Sequence, residues 1–442
     1  MKRLLGEAGF FAYLDALNQP YTRALRVNLL LRPDGTPPCP IEGLGAPVPW
    51  AKGAYFVEGD ARPGLSPLHE GGLFYMQEPS ALTAVTALDP QPGERVLDLC
   101  AAPGGKSTQI AALMAGRGLL CCNEPIPSRA QILSRNIERM GVRNAVVLSA
   151  MPDALSPRFP AFFDRILVDA PCSGEGMFRR QPEARDEWDA DAPRRCADRQ
   201  MEILAQAAKM LRPGGTMVYS TCTFNDTENE GVLRRFLALH PEFSLVPFAL
   251  PGLPEAKDGY LHLYPHEMRG EGHFVSRLKK ADGADEADAP VQAAPQRKAP
   301  VRAAAKGKAP APIALPDVFS DAFAPERLYT AGDALWMLPE GISIERLSGL
   351  RVLRTGLLLA HAEGKRSEPD HALAMALRPE EAARTASLTQ TQALAYQAGE
   401  TLSLGDLPGG YTLLCCEGVS LGWGKQAGGL MKNHYPKGLR RR

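Results

Sequence analysis

Leu97-Asp98-Leu99-Cys100-Ala101-Ala102-Pro103-Gly104-Gly105-Lys106-Ser107-Thr108 is the stretch on which the reading of this chain turns. The apolar run from Arg95 to Leu99 has the composition of a buried strand. Two glycines follow, and Ser107 to Met114 has a helical pattern. Glycine lets a backbone approach a ligand closely, and a helix N-terminus presents free N–H groups, so strand, turn and helix together make a ligand loop. Gly105-Lys106-Ser107 imitates the end of a phosphate-binding P-loop, but that motif requires glycine where this chain has Cys100. The loop does not match GxGxxG either, so neither a P-loop NTPase nor a dinucleotide site is indicated.

Outward from this loop, short β-rich runs alternate with helical patterns. Gly118 to Glu124, Ala145 to Leu148, Asp164 to Asp169 and Gly215 to Ser220 read as strands, and Ser128 to Met140 and Cys196 to Leu211 as helices. Repeated strand and helix predict an α/β fold, a mostly parallel Rossmann-like sheet with helices on both faces, whose ligands bind at the carboxyl ends of the strands. The second strand ends in Glu124, nineteen residues after Gly105, where a carboxylate can accept hydrogen bonds from ribose hydroxyls. That spacing suits the adenosine half of S-adenosylmethionine.

At 442 residues the chain predicts two or three domains. Ala281 to Pro316 is dominated by Ala, Pro and charge, reads as a disordered linker, and divides the chain into 1–72, a small α+β unit; 73–280, the sheet domain; 281–316, the linker; and 317–442, a second folded unit. The 50 basic and 50 acidic residues cancel, which argues against a uniformly basic nucleic-acid coat, but Lys432 to Arg442 is a basic cluster with an aromatic among its charges. No run of eighteen apolar residues and no secretory leader appear, so a cytoplasmic protein without a membrane partner is expected. Nine cysteines with no CxxC pair match neither a disulfide framework nor a zinc ribbon; reduced thiols and no metal site are expected.

Two cysteines stand apart from the rest. Asp169-Ala170-Pro171-Cys172-Ser173-Gly174-Glu175-Gly176 follows one strand, and Ser220-Thr221-Cys222-Thr223-Phe224 follows the next long one. A lone cysteine is usually a small buried hydrophobe. Two at the same rim of one sheet are a candidate for thiol chemistry.

These strings, with Gln77-Glu78-Pro79-Ser80 and Glu228-Asn229-Glu230, resemble the Sun/Nop family of RNA cytosine-5 methyltransferases, and within it the bacterial RsmF-type rRNA enzymes. The likeness covers roughly residues 1–280 and 317–442. It implies a class I methyltransferase sheet and S-adenosylmethionine as cofactor. Cys222 matches the family's nucleophile, and Cys172 the cysteine that assists proton removal and release. Cys100, Ala101, Ala102, Pro103, Gly104, Gly105, Lys106 and Glu124 match the cofactor contacts, with Arg129 beside them. Asp169 matches a carboxylate where cofactor and base meet, with Lys106 reaching toward the base as well. Many relatives carry Asn and an acidic residue near the adenine where this chain has Ser149-Ala150-Met151-Pro152-Asp153.

The chemistry explains the need for sulfur. Carbon 5 of cytosine is too weak a nucleophile to attack a methyl sulfonium unaided, and a thiolate adding at C6 makes it enamine-like. Gly418 to Lys425 and Leu430 to Arg440 are similar to the RsmF-type, PUA-like RNA-binding module. The resemblance implies an RNA partner, 16S rRNA of the small ribosomal subunit near the decoding region before tRNA, and a monomeric enzyme. RNA binding without catalysis, as in an assembly factor, is the competing class.

Overall fold

The computed structural model describes residues 1–186, 188–283, 325–363 and 366–441, together with Ile313 and Val318; the 281–316 linker lies almost wholly outside them. At the centre is a nine-stranded sheet. Its main path runs Phe243–Leu245, His273–Lys280, Leu211–Thr221, Phe163–Asp169, Arg95–Asp98, Leu119–Asn123, Ala145–Leu148 and Val352–Arg354, with Tyr260–Leu263 paired to His273–Lys280. The five strands from Leu211–Thr221 to Ala145–Leu148 are parallel, and both flanks are antiparallel. The sheet is therefore mixed rather than mostly parallel. Parallel neighbours need crossover helices, whereas the last strands return without one.

The central strands are continuous apolar runs because helices cover both faces. Side chains alternate across the sheet, which accounts for the Cys121-Cys122 doublet: Cys121 belongs to the buried cluster of Leu97 and Val146, Cys122 to that of Val96 and Val147 on the other face. Burial pushes the Cys121 thiol up to about 12, so it packs as an inert hydrophobe. The chain visits one side of Arg95–Asp98 first and then crosses to Phe163–Asp169 on the other, and this reversal opens a crevice at the strand ends.

Four strands, Leu44–Pro47, Ala54–Val57, Arg23–Val27 and Phe74–Met76, make an N-terminal sheet beside the helix Lys2–Leu17. Phe74–Met76 pairs with Arg23–Val27, so this sheet runs past the boundary expected at residue 72. Beyond the linker stand two more four-stranded sheets, beginning with Leu328–Ala331 and Thr385–Ser387, where one unit was expected. Part of this region joins the central sheet: Val352–Arg354 pairs with Ala145–Leu148, Ser149 N donates to Arg351 O at 2.9 Å, and the buried Arg354 pairs with Glu138.

The basic tail is partly engaged with the rest of the chain. Arg441 donates to the carbonyls of Leu65 at 2.6 Å and Ser66 at 3.1 Å. Among the described residues no helix is long and apolar enough to cross a membrane.

Candidate active site

Asp169 and Ser220 face each other in register on parallel strands, and Ala170 N donates to Ser220 O at 2.9 Å, so the two following loops leave the sheet side by side. That places Cys172 and Cys222 with their sulfurs 3.3 Å apart. The contact with Cys222, and then burial, hold the Cys172 thiol well above the ordinary range. Both cysteines line a cavity of about 1100 Å³, together with Cys100, Ala102, Glu124, Arg129 and Asp169. Met151, Pro152 and Asp153 also line it, so the stretch that departs from the family pattern still faces the cavity.

Lys106 donates to Asp169 Oδ2 at 2.8 Å. Burial opposes the ionised form of each, but Lys106 and His273 hold the Asp169 carboxyl below the usual carboxylate range, and the Asp169 charge raises Lys106. The pair is a fixed plus and minus. Ser220 Oγ donates to Asp169 Oδ1 at 2.9 Å, and His273 Nε2 lies 3.5 Å from the same oxygen.

Glu124 is only 3 % exposed at the end of its strand. Its carboxylate accepts from Ile126 N at 3.0 Å and meets Arg129 at 3.2 Å. Arg129 also donates to Ala102 O at 3.1 Å, and Asn136 to Pro103 O at 2.8 Å, so the helix Pro127–Arg139 braces the loop. Gly104 has φ 115°, and a Cβ there would come within 3.2 Å of Leu133; glycine is what lets loop and helix close. Ala101, Pro103, Gly104 and Gly105 build this turn without lining the cavity, and Lys106 meets it through Asp169.

Sequence reasoning gave no role to the two glutamates that join the cysteine loops. Glu228, fully buried, accepts from Ser173 N at 2.9 Å, Gln200 Nε2 at 3.0 Å and Asn225 Nδ2 at 2.8 Å, and from the Ser173 hydroxyl. Glu175 accepts from Thr223 Oγ1 at 2.8 Å, Phe224 N at 2.8 Å and Asn225 N at 3.1 Å. Both stand inside the motif strings, yet their function exists only across loops fifty residues apart. Glu228→Ala leaves several donors unpaired in a dry site and is expected to cost about 3 kcal/mol, read as a lowered thermal midpoint. Glu228→Gln, which keeps an acceptor oxygen, is expected to lose less.

Asp98 is buried behind the loop and accepts from Ser107 Oγ at 2.6 Å. Burial pushes its carboxyl up to about 7, the Ser107 bond opposing and the Asp169 charge assisting. A carboxyl raised on folding contributes stability that is complete below its unfolded value near 4 and is lost as pH rises to about 7. Asp98→Asn stays neutral and removes that slope. Between about pH 4 and pH 7 the parent protein should lose on the order of 3 kcal/mol relative to the variant, measured by chemical denaturation across that range.

Among the described residues no cluster of His, Cys, Asp and Glu could hold a metal ion. The chain matches in succession the N-terminal domain of 16S rRNA methyltransferase RsmF (residues 1–79), 16S rRNA methyltransferase RsmB/F (85–279), the RsmF rRNA methyltransferase first C-terminal domain (316–377) and the methyltransferase RsmF PUA domain (383–441). It is 33% identical to ribosomal RNA small subunit methyltransferase F of Erwinia tasmaniensis, covering 99% of this chain and 95% of that protein. The protein of the same name from Enterobacter sp. is 35% identical over 97% of this chain and 92% of its own length. A crystal structure of a methyltransferase homolog protein from Pyrococcus horikoshii aligns with TM-score 0.51 and 29% identity, covering 63% of this chain and 97% of that one. NSun6 from the same organism shares the fold at TM-score 0.54 and 22% identity, over 64% of this chain and 97% of its own. With all four segments matched by one lineage, the chain belongs to the RsmB/F family of 16S rRNA methyltransferases, as a member of RsmF type.

Proposed function

We propose that this enzyme methylates C5 of a cytosine in 16S rRNA near the decoding region, with S-adenosylmethionine as donor and Cys222 as covalent nucleophile. The observation that carries the reading is the sulfur pair, 3.3 Å apart in the wall of the cavity that also holds Glu124 and Asp169. The residues fit the cofactor: a buried carboxylate at the second strand end suits ribose hydroxyls, and the exposed apolar side chains of Ile126 and Met151 suit an adenine. Cys100, Ala102, Glu124, Arg129 and Asp169 would hold it, framed by the turn that Ala101 and Pro103 to Lys106 build, and it supplies an electrophilic methyl group when bound.

The chain's own groups do the rest. The target base leaves its stack to reach the cavity. The Cys222 thiolate adds to C6, which makes C5 the nucleophile; the Lys106 and Asp169 pair supplies fixed charge beside the ring. After C5 is methylated its proton passes to the Cys172 thiolate, and the electrons of that C–H bond expel Cys222 from C6. The Cys172 thiol is held protonated in the resting site by its contact with Cys222 and by burial, so it gives up its own proton to solvent through the cavity before it accepts the one from C5.

We assign RNA recognition to the N-terminal sheet and the two C-terminal sheets, and chemistry to the central one, in a cytoplasmic monomer tethered through residues 281–316. Bisulfite sequencing of 16S rRNA treated with enzyme and S-adenosylmethionine tests the reaction, and a cofactor-binding titration accompanies it. Conversion-resistant cytidines are expected in 16S rRNA. Resistance confined to tRNA would move the substrate, and RNA binding without cofactor binding would favour an assembly factor.

A further inference from the structure

The cavity continues beyond what one cofactor and one cytosine require, and the helix Ala192–Met210 measures the excess. Gln206 near its C-terminal end accepts from Ser156 Oγ at 2.7 Å, beside the Met151 to Asp153 wall. Gln200 donates to Pro171 O at 3.0 Å, which marks the level of the cysteine loops. Cys196 and Ala192 still line the cavity beyond that level, and the helix rises about 12 Å from Gln200 back to Ala192. This outer lobe is walled by Met177, Gln181, Ala184, Trp188 and Cys196, with the exposed Arg199 at its side.

Trp188 is 37 % exposed, the most exposed of the four tryptophans; Trp50 and Trp423 are buried. Its position is held: Trp188 N donates to Arg185 O at 3.3 Å, and the adjoining Asp189 accepts from Arg195 at 2.6 Å and from Asp191 N at 2.8 Å. An indole and a guanidinium in the wall of one cavity suit a nucleobase with its phosphate, because unpaired RNA is recognised largely by stacking on aromatic side chains. Extracting the target cytosine also leaves its neighbour without a stacking partner. The adenine wall is at the opposite end of the helix, so the indole is free of the cofactor.

We propose that the outer lobe is a second nucleotide subsite, in which the base adjoining the target cytosine stacks on Trp188 and its phosphate meets Arg199. The subsite rests on the cytosine methylation proposed above. In the full-length enzyme acting on 16S rRNA, Trp188→Ala should raise the KM for RNA roughly 10- to 100-fold while kcat changes little and S-adenosylmethionine affinity is unchanged. Trp188→Phe, which keeps a stacking ring, should recover most of that loss. A single-stranded RNA oligonucleotide containing one cytidine should quench tryptophan fluorescence in the parent enzyme, and the quench should vanish in Trp188→Phe although RNA still binds. An unchanged KM in Trp188→Ala, or a loss of cofactor affinity as large as the loss for RNA, would overturn the subsite. Absence of 5-methylcytidine from the parent enzyme's product would instead refute the chemistry, and the quench would still decide whether RNA covers Trp188.

Discussion

Cys222→Ala is expected to reduce methyl transfer by on the order of 10⁴-fold or more, since the variant lacks the only atom proposed to raise the reactivity of C5. The loss should be selective. The side chain is half-buried in a loop tied down by other residues, Gly176 N to Cys222 O at 2.8 Å and Asn229 Nδ2 to Thr223 O at 3.1 Å among them. Folding stability should fall by less than about 1 kcal/mol, and cofactor affinity should be unchanged. Radiolabelled transfer to 16S rRNA, a thermal melt and a cofactor titration separate these effects. The covalent protein–RNA band on a denaturing gel should also be missing, and its persistence would transfer the nucleophile's role to Cys172.

The opposite phenotype is expected of Cys172→Ala. Addition and methylation need only Cys222, so the variant should reach the methylated adduct and stop there, unable to take the C5 proton that releases the enzyme. A stable species migrating as protein plus RNA should accumulate to about one per enzyme with one labelled methyl group, while turnover disappears. Removing Cys172 also deletes the 3.3 Å sulfur contact of Cys222, so addition itself should be no slower than in the parent enzyme. If the variant released methylated RNA at the parent rate, a different group would be the base. The double variant Cys172→Ala/Cys222→Ala should form no adduct, which ties the trapped species to Cys222.

Local chemistry makes the core of this site legible in the sequence. A buried run followed by two glycines and a helix start is readable because each feature is enforced within a dozen residues. The expected strand at Asp164 to Asp169 is observed as Phe163–Asp169, and Cys196 to Leu211 corresponds to the helix Ala192–Met210. Long-range pairing leaves weaker marks. Nothing local to Phe74–Met76 says that its partner is Arg23–Val27, and nothing in Val352–Arg354 announces that it completes a sheet begun more than two hundred residues earlier. Glu175 and Glu228 show the same limit. Their identity was visible, but an acceptor's value depends on which donors surround it in space.

The strand Val352–Arg354 also constrains how far this enzyme can be trimmed. With it in place the backbone of Ala145–Leu148 is hydrogen-bonded on both sides. Cut at the tether, the catalytic half would expose that row of amides and carbonyls along an apolar strand, an adhesive rim that invites pairing with another chain. The same cut would release Ser149 from Arg351, two residues before the Met151 to Asp153 lip of the cavity. A minimal catalytic fragment should therefore be both prone to self-association and poor at retaining its donor, even if every reactive side chain is present.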